Sequence, residues 1–205
     1  MKLTRNITWY TRDTAFILKL TLRNREQTLV DAVLNKLDSL YQMAARHDLH
    51  AYQTLFVHID ALLHMTDQCR QKAAAYEAQI RDKVSGDISI AGEPLFNKQW
   101  TVANPAQHAL LDLLGAFDQL MVAVHMARQV NVFKQRAAFF AERRAMSKAV
   151  LKVLQNINQI GLKRLSEQAL NKDYLHAALS CQSLPAFSGK AYADLQAFLK
   201  VEQAV

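Results

Sequence analysis

Residues 95–129, LFNKQWTVANPAQHALLDLLGAFDQLMVAVHMARQ, contain a change of hydrophobic period that decides the fold. In the first part, aromatic and β-branched residues alternate with polar ones, and this period of two predicts a strand over residues 96–103. Asn104-Pro105 then combines a capping side chain with a proline suited to the first helical turn. From there to about Gln129 the apolar residues recur three and four positions apart, which predicts a long, apolar helix.

The N-terminal region admits two interpretations. Residues 7–11, ITWYT, are rich in strand formers, and a strand over 5–11 would be followed by a short helix over 12–23. Alternatively, phenylalanine and leucine alternate with their neighbours over 16–23, which is typical of a half-buried strand. Periodicity alone leaves both interpretations open.

Most of the remaining chain has helical periodicity. Helices are predicted at about residues 26–46, 49–84, 134–160, 163–180 and 189–203. We therefore predict a mainly α fold, a helical domain with a small antiparallel β-ribbon. One domain over 1–205 would comprise a basic N-terminal strand region (1–25), a helical pair (26–84), a loop (85–95), a strand (96–103) and a helical core and tail (104–205).

The helix over 134–160 carries an apolar stripe at heptad spacing, formed by Met146, Val150, Val153, Ile157 and Ile160. Such a stripe requires a partner helix. The partner is either another helix of the same chain or a second copy, and several such stripes in a small protein favour a homodimer with a shared helical core.

The net charge of +7 is unevenly distributed. Residues 1–25, the first basic segment, hold six basic and one acidic side chain, and residues 134–164, the second basic segment, hold eight and one. Residues 26–133 between them hold eight basic and twelve acidic side chains. Two basic segments on a near-neutral body are what a polyanion-binding surface requires, although solvated helix faces have the same composition.

Signatures of catalysis and cofactor binding are absent from the sequence, so we expect neither an enzyme nor a cofactor. The most metal-like set is Asp60, His64 and Asp67, which share one helix face, but a solvated polar face is the stronger interpretation. Asp118 is expected to be a buried anchor, hydrogen-bonded to arginine or backbone. Two cysteines and the lack of a targeting or membrane-spanning signal predict a cytoplasmic protein.

The strand, the Asn-Pro pair and the apolar helix containing Phe-Asp-Gln-Leu, between Pro94 and Gln129, resemble the AcaB-like transcriptional regulators of conjugative plasmids and integrating conjugative elements. The stretch from Ile7 to Ala15, ITWYTRDTA, is similar to that family's opening strand and Thr-Arg-x-x-Ala helix start. The resemblance implies a dimeric, DNA-binding activator of transfer genes that uses a ribbon-helix-helix-like mode. In that mode strands from two chains pair, and their outward side chains read the major groove of double-stranded promoter DNA.

Three strands are candidates for this ribbon. In a strand over 5–11, Arg5, Thr8 and Tyr10 would face DNA. In a strand over 16–23 the readers would be Lys19, Thr21 and Arg23, and in a strand over 96–103 they would be Asn97, Gln99 and Thr101. The strands over 5–11 and 96–103 would alternatively pair with each other.

The predicted DNA-binding residues follow from these candidates and from the two basic segments. We expect residues of the first basic segment to lie near the bases or their flanking phosphates, and residues of the second to contact the phosphates. They are Arg5, Thr8, Arg12, Lys19, Arg23 and Arg25, then Arg143, Arg144 and Lys148. The resulting hypothesis is a homodimeric, sequence-specific activator of conjugative transfer genes, with no membrane or small-molecule partner. The alternative is a non-enzymatic helical accessory subunit of a conjugation system.

Overall fold

The structure, a computed structural model, describes residues 3–22, 26–84, 94–187 and 189–200. Its elements, in chain order, are β1 (Leu3–Trp9), α1 (Arg12–Lys19), α2 (Leu29–Ala45), α3 (Leu49–Arg81), β2 (Phe96–Val102), α4 (Pro105–Gln129), α5 (Arg136–Asn158), a 3₁₀ helix (Leu162–Glu167), α6 (Lys172–Leu179) and α7 (Gly189–Lys200). The fold is therefore mainly α with one small antiparallel sheet, as predicted. Most of the predicted loop over 85–95 lies outside the described residues.

The core is built around α4, which makes its most extensive contact with α3. Asn104 caps α4 by accepting a hydrogen bond from the Gln107 backbone N–H, and Pro105 occupies the first turn, as the sequence predicts. By length and composition α4 could cross a membrane, with a mean hydropathy of 1.4, but 67% of its most apolar window is buried inside the fold. Its apolar character is therefore accounted for by its position in the core.

The two strands pair with each other in one antiparallel ribbon. Arg5 lies opposite Trp100, and Asn6 opposite Gln99. This arrangement confirms the interpretation in which the strand begins near Arg5 and pairs with the strand over 96–103 of the same chain. The chain order of strand, helix and helix matches a ribbon-helix-helix module, but both strands of this ribbon come from one chain.

The alternative strand over 16–23 is wrong, because residues 16–19 form the second half of α1. Thr11 caps this helix by accepting a hydrogen bond from the Thr14 backbone N–H. The helix buries Ile17 and Leu18, whereas Phe16 is 60% exposed. The apparent alternation arose because several apolar residues are adjacent, and the helical spacing determines which of them reach the core.

The predicted stripe of α5 is correct except at one position. Met146, Val150 and Ile157 are buried, but Leu154 is fully buried where the heptad pattern had placed Val153, which is half-buried. A helix with 3.6 residues per turn drifts from a strict seven-residue repeat, which explains the offset. Among the described elements α5 packs mainly against α2, so a helix of the same chain covers the stripe.

The C-terminal region differs in detail from the sequence prediction. The helix expected over 163–180 is divided into the 3₁₀ helix and α6. Asn171 caps α6 by accepting a hydrogen bond from the Tyr174 backbone N–H, so a new helix begins there.

Candidate nucleic-acid interface

The ribbon has two chemically distinct faces. Strand residues that lie directly opposite each other share a face, and successive residues alternate between faces. The outer face, as we call it, consists of the cross-strand pairs Thr4–Thr101, Asn6–Gln99 and Thr8–Asn97. Five of its members are exposed and Thr8 is half-buried. The outer face is therefore polar, uncharged and open.

The inner face of the ribbon lies on the helices, and carboxylates of the helices hold its polar groups. Asp31 of α2 accepts hydrogen bonds from the Lys98 ammonium at 3.0 and 3.1 Å and from the Trp100 indole N–H at 3.2 Å. Asp112 of α4 accepts a 2.6 Å hydrogen bond from the Arg5 guanidinium. Both cations of the two strands thus point toward the helical body and form ion pairs there.

The six side chains of the outer face differ from the inner ones in their partners. Within the described part of the chain, none of them makes a hydrogen bond or an ion pair. Their hydroxyl and amide groups are free to bind groups from another molecule. In size and shape a two-stranded ribbon also fits the major groove of DNA.

Asp118 fixes the corner between β1 and α1. Its carboxylate accepts hydrogen bonds from the backbone N–H groups of Tyr10 and Thr11 at 2.9 and 3.0 Å, and from the Thr11 hydroxyl at 2.7 Å. Asp118 is 4% exposed, so these hydrogen bonds are shielded from water. The sequence-based expectation of a buried anchor bonded to backbone is confirmed.

The two basic segments meet at Asp13 of α1. The Arg143 guanidinium donates hydrogen bonds of 2.7 and 2.9 Å to its two carboxylate oxygens, and His125 Nε2 lies 3.2 Å from Oδ2. Burial tends to raise the pKa of Asp13, but the hydrogen bonds and charges of His125 and Arg143 outweigh it and hold the pKa below its ordinary value. Arg143 also lies over the Phe139 ring, 5.2 Å from its centroid. Its charge is thus compensated inside the fold.

Most of the other basic side chains of the second basic segment have no carboxylate partner in the described part of the chain. Arg144, Lys148 and Lys152 are exposed and follow one another at intervals of four residues, which places them in one row along α5. None of the three forms an ion pair among the residues that the structure describes. Neighbours in such a row are about 5–6 Å apart at Cβ, so the row is a continuous strip of positive charge.

The residues predicted from the sequence to bind DNA therefore fall into groups that differ in exposure and in their partners. Arg5 and Arg143 are bound to carboxylates, whereas Arg12, Lys19, Arg144 and Lys148 are exposed. Thr8 is on the outer face. Arg23 and Arg25 lie outside the described residues.

Sequence reasoning missed Thr4 and Asn6, because it placed Arg5, Thr8 and Tyr10 on one reading face. Arg5 has the opposite strand parity to Thr8, and Tyr10 follows the end of β1. The alternation that predicts Asn97, Gln99 and Thr101 on one face of β2 is also present at Thr4, Asn6 and Thr8 of β1. It is the signal in the sequence for the β1 half of the outer face.

The metal-like set on α3 does not come together as a site. His64 Nε2 lies 2.8 Å from the Gln68 amide, and Asp67 pairs with Arg70 at 3.8 Å. In the described ranges no group of three or more His, Cys, Asp or Glu side chains is arranged to hold a metal ion.

On the surface that the structure describes, two of the clefts contain no residue of the ribbon. A cleft of about 510 Å³ between α2 and the end of α5 is lined by polar side chains, by Leu22, Ala32 and Leu162, and by Lys36. Lys36 donates a 2.9 Å hydrogen bond to the Ile160 carbonyl. A cleft of about 370 Å³ near the start of α3 is lined by Tyr52, Cys181 and Phe187 with their neighbours. Burial raises the pKa of Tyr52 to about 12, and its hydroxyl donates a 3.2 Å hydrogen bond to the Ala178 carbonyl.

Comparison with known proteins gives one informative match. No protein-family model and no curated protein matches the chain. Among solved structures, the selenomethionine-containing crystal structure of AcaB from uropathogenic E. coli superimposes with a TM-score of 0.56, at 15% sequence identity. The alignment covers 98% of this chain and 99% of that one. The chain is similar in fold to AcaB. The similarity to AcaB extends over the whole length of both chains, so it concerns the complete architecture and not the ribbon alone.

Proposed function

We propose that this protein is a sequence-specific, double-stranded-DNA-binding transcriptional regulator and not an enzyme. The observation that carries the proposal is the asymmetry of the ribbon. Its charged groups are bound to Asp31 and Asp112, while Asn6, Asn97 and Gln99 are exposed with free amides. Base edges in the major groove are read by such hydrogen-bonding side chains on a helix or a two-stranded ribbon.

The phosphates would be held by the exposed cations around the ribbon and along α5. Arg12 and Lys19 belong to α1, which follows β1 directly, and Lys19 Nζ lies 5.7 Å from the Phe96 ring centroid at the start of β2. The row of Arg144, Lys148 and Lys152 supplies a second, longer strip. Phosphate contacts supply affinity and register, and the outer face would supply the sequence preference.

We further propose that two copies bind one operator. The outer-face pairs extend over four residue steps of a strand, about 13 Å at 3.3 Å per residue, which corresponds to about four base-pair steps of 3.4 Å. So few base pairs do not distinguish one promoter from the many competing sites of a genome. A homodimer reading two half-sites would double the recognised length.

The similarity in fold to AcaB, together with the sequence motifs that resemble those of AcaB-like regulators, supports a cytoplasmic activator of conjugative transfer genes. The alternative, a helical accessory subunit, is favoured by exposed apolar side chains such as Phe16 and Leu63, 60% and 42% exposed, which would suit a protein partner. The two functions differ in whether any duplex sequence is preferred.

Selection from a random duplex pool with the full chain, followed by fluorescence anisotropy at several salt concentrations, tests the proposal. We expect the selected duplex to bind at least about 10³-fold more tightly than competitor DNA. Replacing both Asn6 and Gln99 by alanine should remove most of that preference, whereas Gln71→Ala, an exposed amide on α3, should leave it unchanged. Salt-dependent binding without any preferred sequence would favour the accessory subunit, and no binding at low salt would exclude both basic segments from a DNA site.

A further inference from the structure

We infer that the outer face selects adenine–thymine base pairs. This inference rests on the proposed function and specifies its target. The outer face holds three threonines, two asparagines and one glutamine, and none of its six side chains is charged. Since each base pair presents a different set of groups in the major groove, the side-chain types restrict which pairs are bound.

Asparagine and glutamine amides match adenine. The amide oxygen accepts a hydrogen bond from the adenine N6 amino group, while the amide nitrogen donates one to N7. Asn6 and Gln99 are directly opposite each other at the centre of the ribbon, and Asn97 lies one pair further along. The ribbon thus presents three adenine-directed amides within one short stretch of groove.

The threonines match the partner base. A threonine methyl group contacts the C5 methyl group of thymine, which cytosine lacks. Thr4 and Thr101 form one end pair of the outer face, and Thr8 faces Asn97 at the other. Both ends of the outer face therefore also favour A·T pairs.

Guanine-directed side chains are withdrawn from the outer face. Arginine and lysine are the side chains that pair bidentately with guanine O6 and N7. On the two strands these are Arg5 and Lys98, and they point inward, 2.6 Å from Asp112 and 3.0 Å from Asp31. The Lys98 ammonium also lies 4.8 Å from the Trp100 ring centroid, which holds it on the inner face.

The carboxylates that hold these cations are themselves positioned by the fold. Asp31 accepts a 2.7 Å hydrogen bond from the Thr28 hydroxyl at the start of α2, in addition to those from β2. Moving Lys98 to the outer face would leave this half-buried carboxylate without its cation. The fold therefore stabilises the uncharged composition of the outer face.

The test uses the full chain and the duplex obtained by selection. We expect the selected core, about four to five base pairs, to consist mainly of A·T pairs. Replacing core adenines by 7-deazaadenine removes only the major-groove acceptor N7 and should weaken binding about 10-fold or more. The matched control, 3-deazaadenine, removes the minor-groove acceptor N3 and should leave affinity unchanged.

A substitution gives an independent readout. Gln99→Arg places a guanidinium at the centre of the outer face, and a new selection with this variant should recover G·C at the position that the original protein reads as A·T. A G·C-rich core for the original protein, or loss of affinity with 3-deazaadenine and not with 7-deazaadenine, would overturn the inference while leaving sequence-specific DNA binding intact. If no sequence is selected at all, the proposed function itself fails.

Discussion

Arg143 and Asp13 form a bidentate ion pair, with an Arg143 nitrogen 2.7 and 2.9 Å from the two carboxylate oxygens, although the residues are 130 positions apart in the chain. The pair joins α1 to α5, and so links the helix that follows the ribbon to the helix that carries the basic row. Folding therefore brings the two basic segments into contact, at a point where Asp13 compensates the charge of Arg143.

Arg143 and its neighbour Arg144 should have separable roles. Arg143→Ala leaves the 11%-exposed Asp13 carboxylate without its main partner, and we expect the free energy of unfolding to fall by about 1–3 kcal/mol. Arg144→Ala removes an exposed cation and should change stability by less than about 0.5 kcal/mol while weakening DNA binding. Urea unfolding followed by tryptophan fluorescence measures the free energy of unfolding of both variants. Equal stability of Arg143→Ala and Arg144→Ala would contradict a structural role for Arg143.

Asp118 and Asp112, on the same helix, form a matched pair for the ribbon anchors. Asp118→Ala removes the acceptor for two backbone N–H groups and one hydroxyl in a dry environment, and we expect a loss of at least about 2–3 kcal/mol. Asp112→Ala breaks an ion pair whose side chains are 37% and 41% exposed, which should cost about 0–1 kcal/mol. Trp9 and Trp100, the two tryptophans of the chain, both lie in the ribbon, so tryptophan fluorescence reports directly on its unfolding. An equal loss of stability in Asp112→Ala and Asp118→Ala would show that burial does not determine how much each carboxylate stabilises the fold.

The ribbon should loosen in acid through Asp31. Burial tends to raise its pKa, but hydrogen bonds from Thr28, Lys98 and Trp100 and the Lys98 charge outweigh it, so the pKa in the folded chain lies below 3.8. The stabilisation is therefore complete above that value and is lost as the pH falls through the lower, folded pKa. The free energy of unfolding should decrease below about pH 4.

The matched variants for this acid effect are Asp31→Asn and Asp60→Asn. In Asp31→Asn the protein should be less stable at pH 7 and should show a shallower decrease below about pH 4, because one linked proton is missing. Asp60 is exposed on α3, and its substitution should leave the stability curve unchanged. Urea titrations at pH 7, 5, 4 and 3 give the curves, and parallel curves for the original chain and Asp31→Asn would show that Asp31 does not contribute to the loss of stability in acid.

Local signals made part of this architecture predictable. The period of two in β2 and the Asn104-Pro105 start of α4 depend on neighbouring residues, and both were located within one residue of their observed bounds. The pairing of β1 with β2 and the partners of Arg5 and Arg143 join residues more than 85 positions apart, on which local periodicity carries no information. The inward or outward direction of each strand residue depends on this packing, so Asn6 was overlooked and Arg5 was assigned to the wrong face.

The offset in the α5 stripe leads to a packing prediction. Leu154 is fully buried, so Leu154→Ala should destabilise the fold by about 2–5 kcal/mol through lost burial and a residual cavity. Val153 is half-buried, and Val153→Ala should cost less than about 1.5 kcal/mol. Thermal unfolding followed by circular dichroism compares the two, and a larger effect at Val153 would restore the strict heptad assignment.

The row of Arg144, Lys148 and Lys152 should determine how DNA affinity depends on salt. Each phosphate neutralised by the protein contributes about −0.9 to the slope of log K against log salt concentration, so replacing all three residues by alanine should make the slope about two to three units shallower. Affinity should fall by a similar factor for the selected duplex and for competitor DNA, since phosphate contacts carry no sequence information. Replacing Arg46 and Arg81, exposed cations of the helical pair, controls for the lower net charge and should change the slope much less. An unchanged slope in the triple variant would remove α5 from the interface and leave the cations of α1 to bind the phosphates.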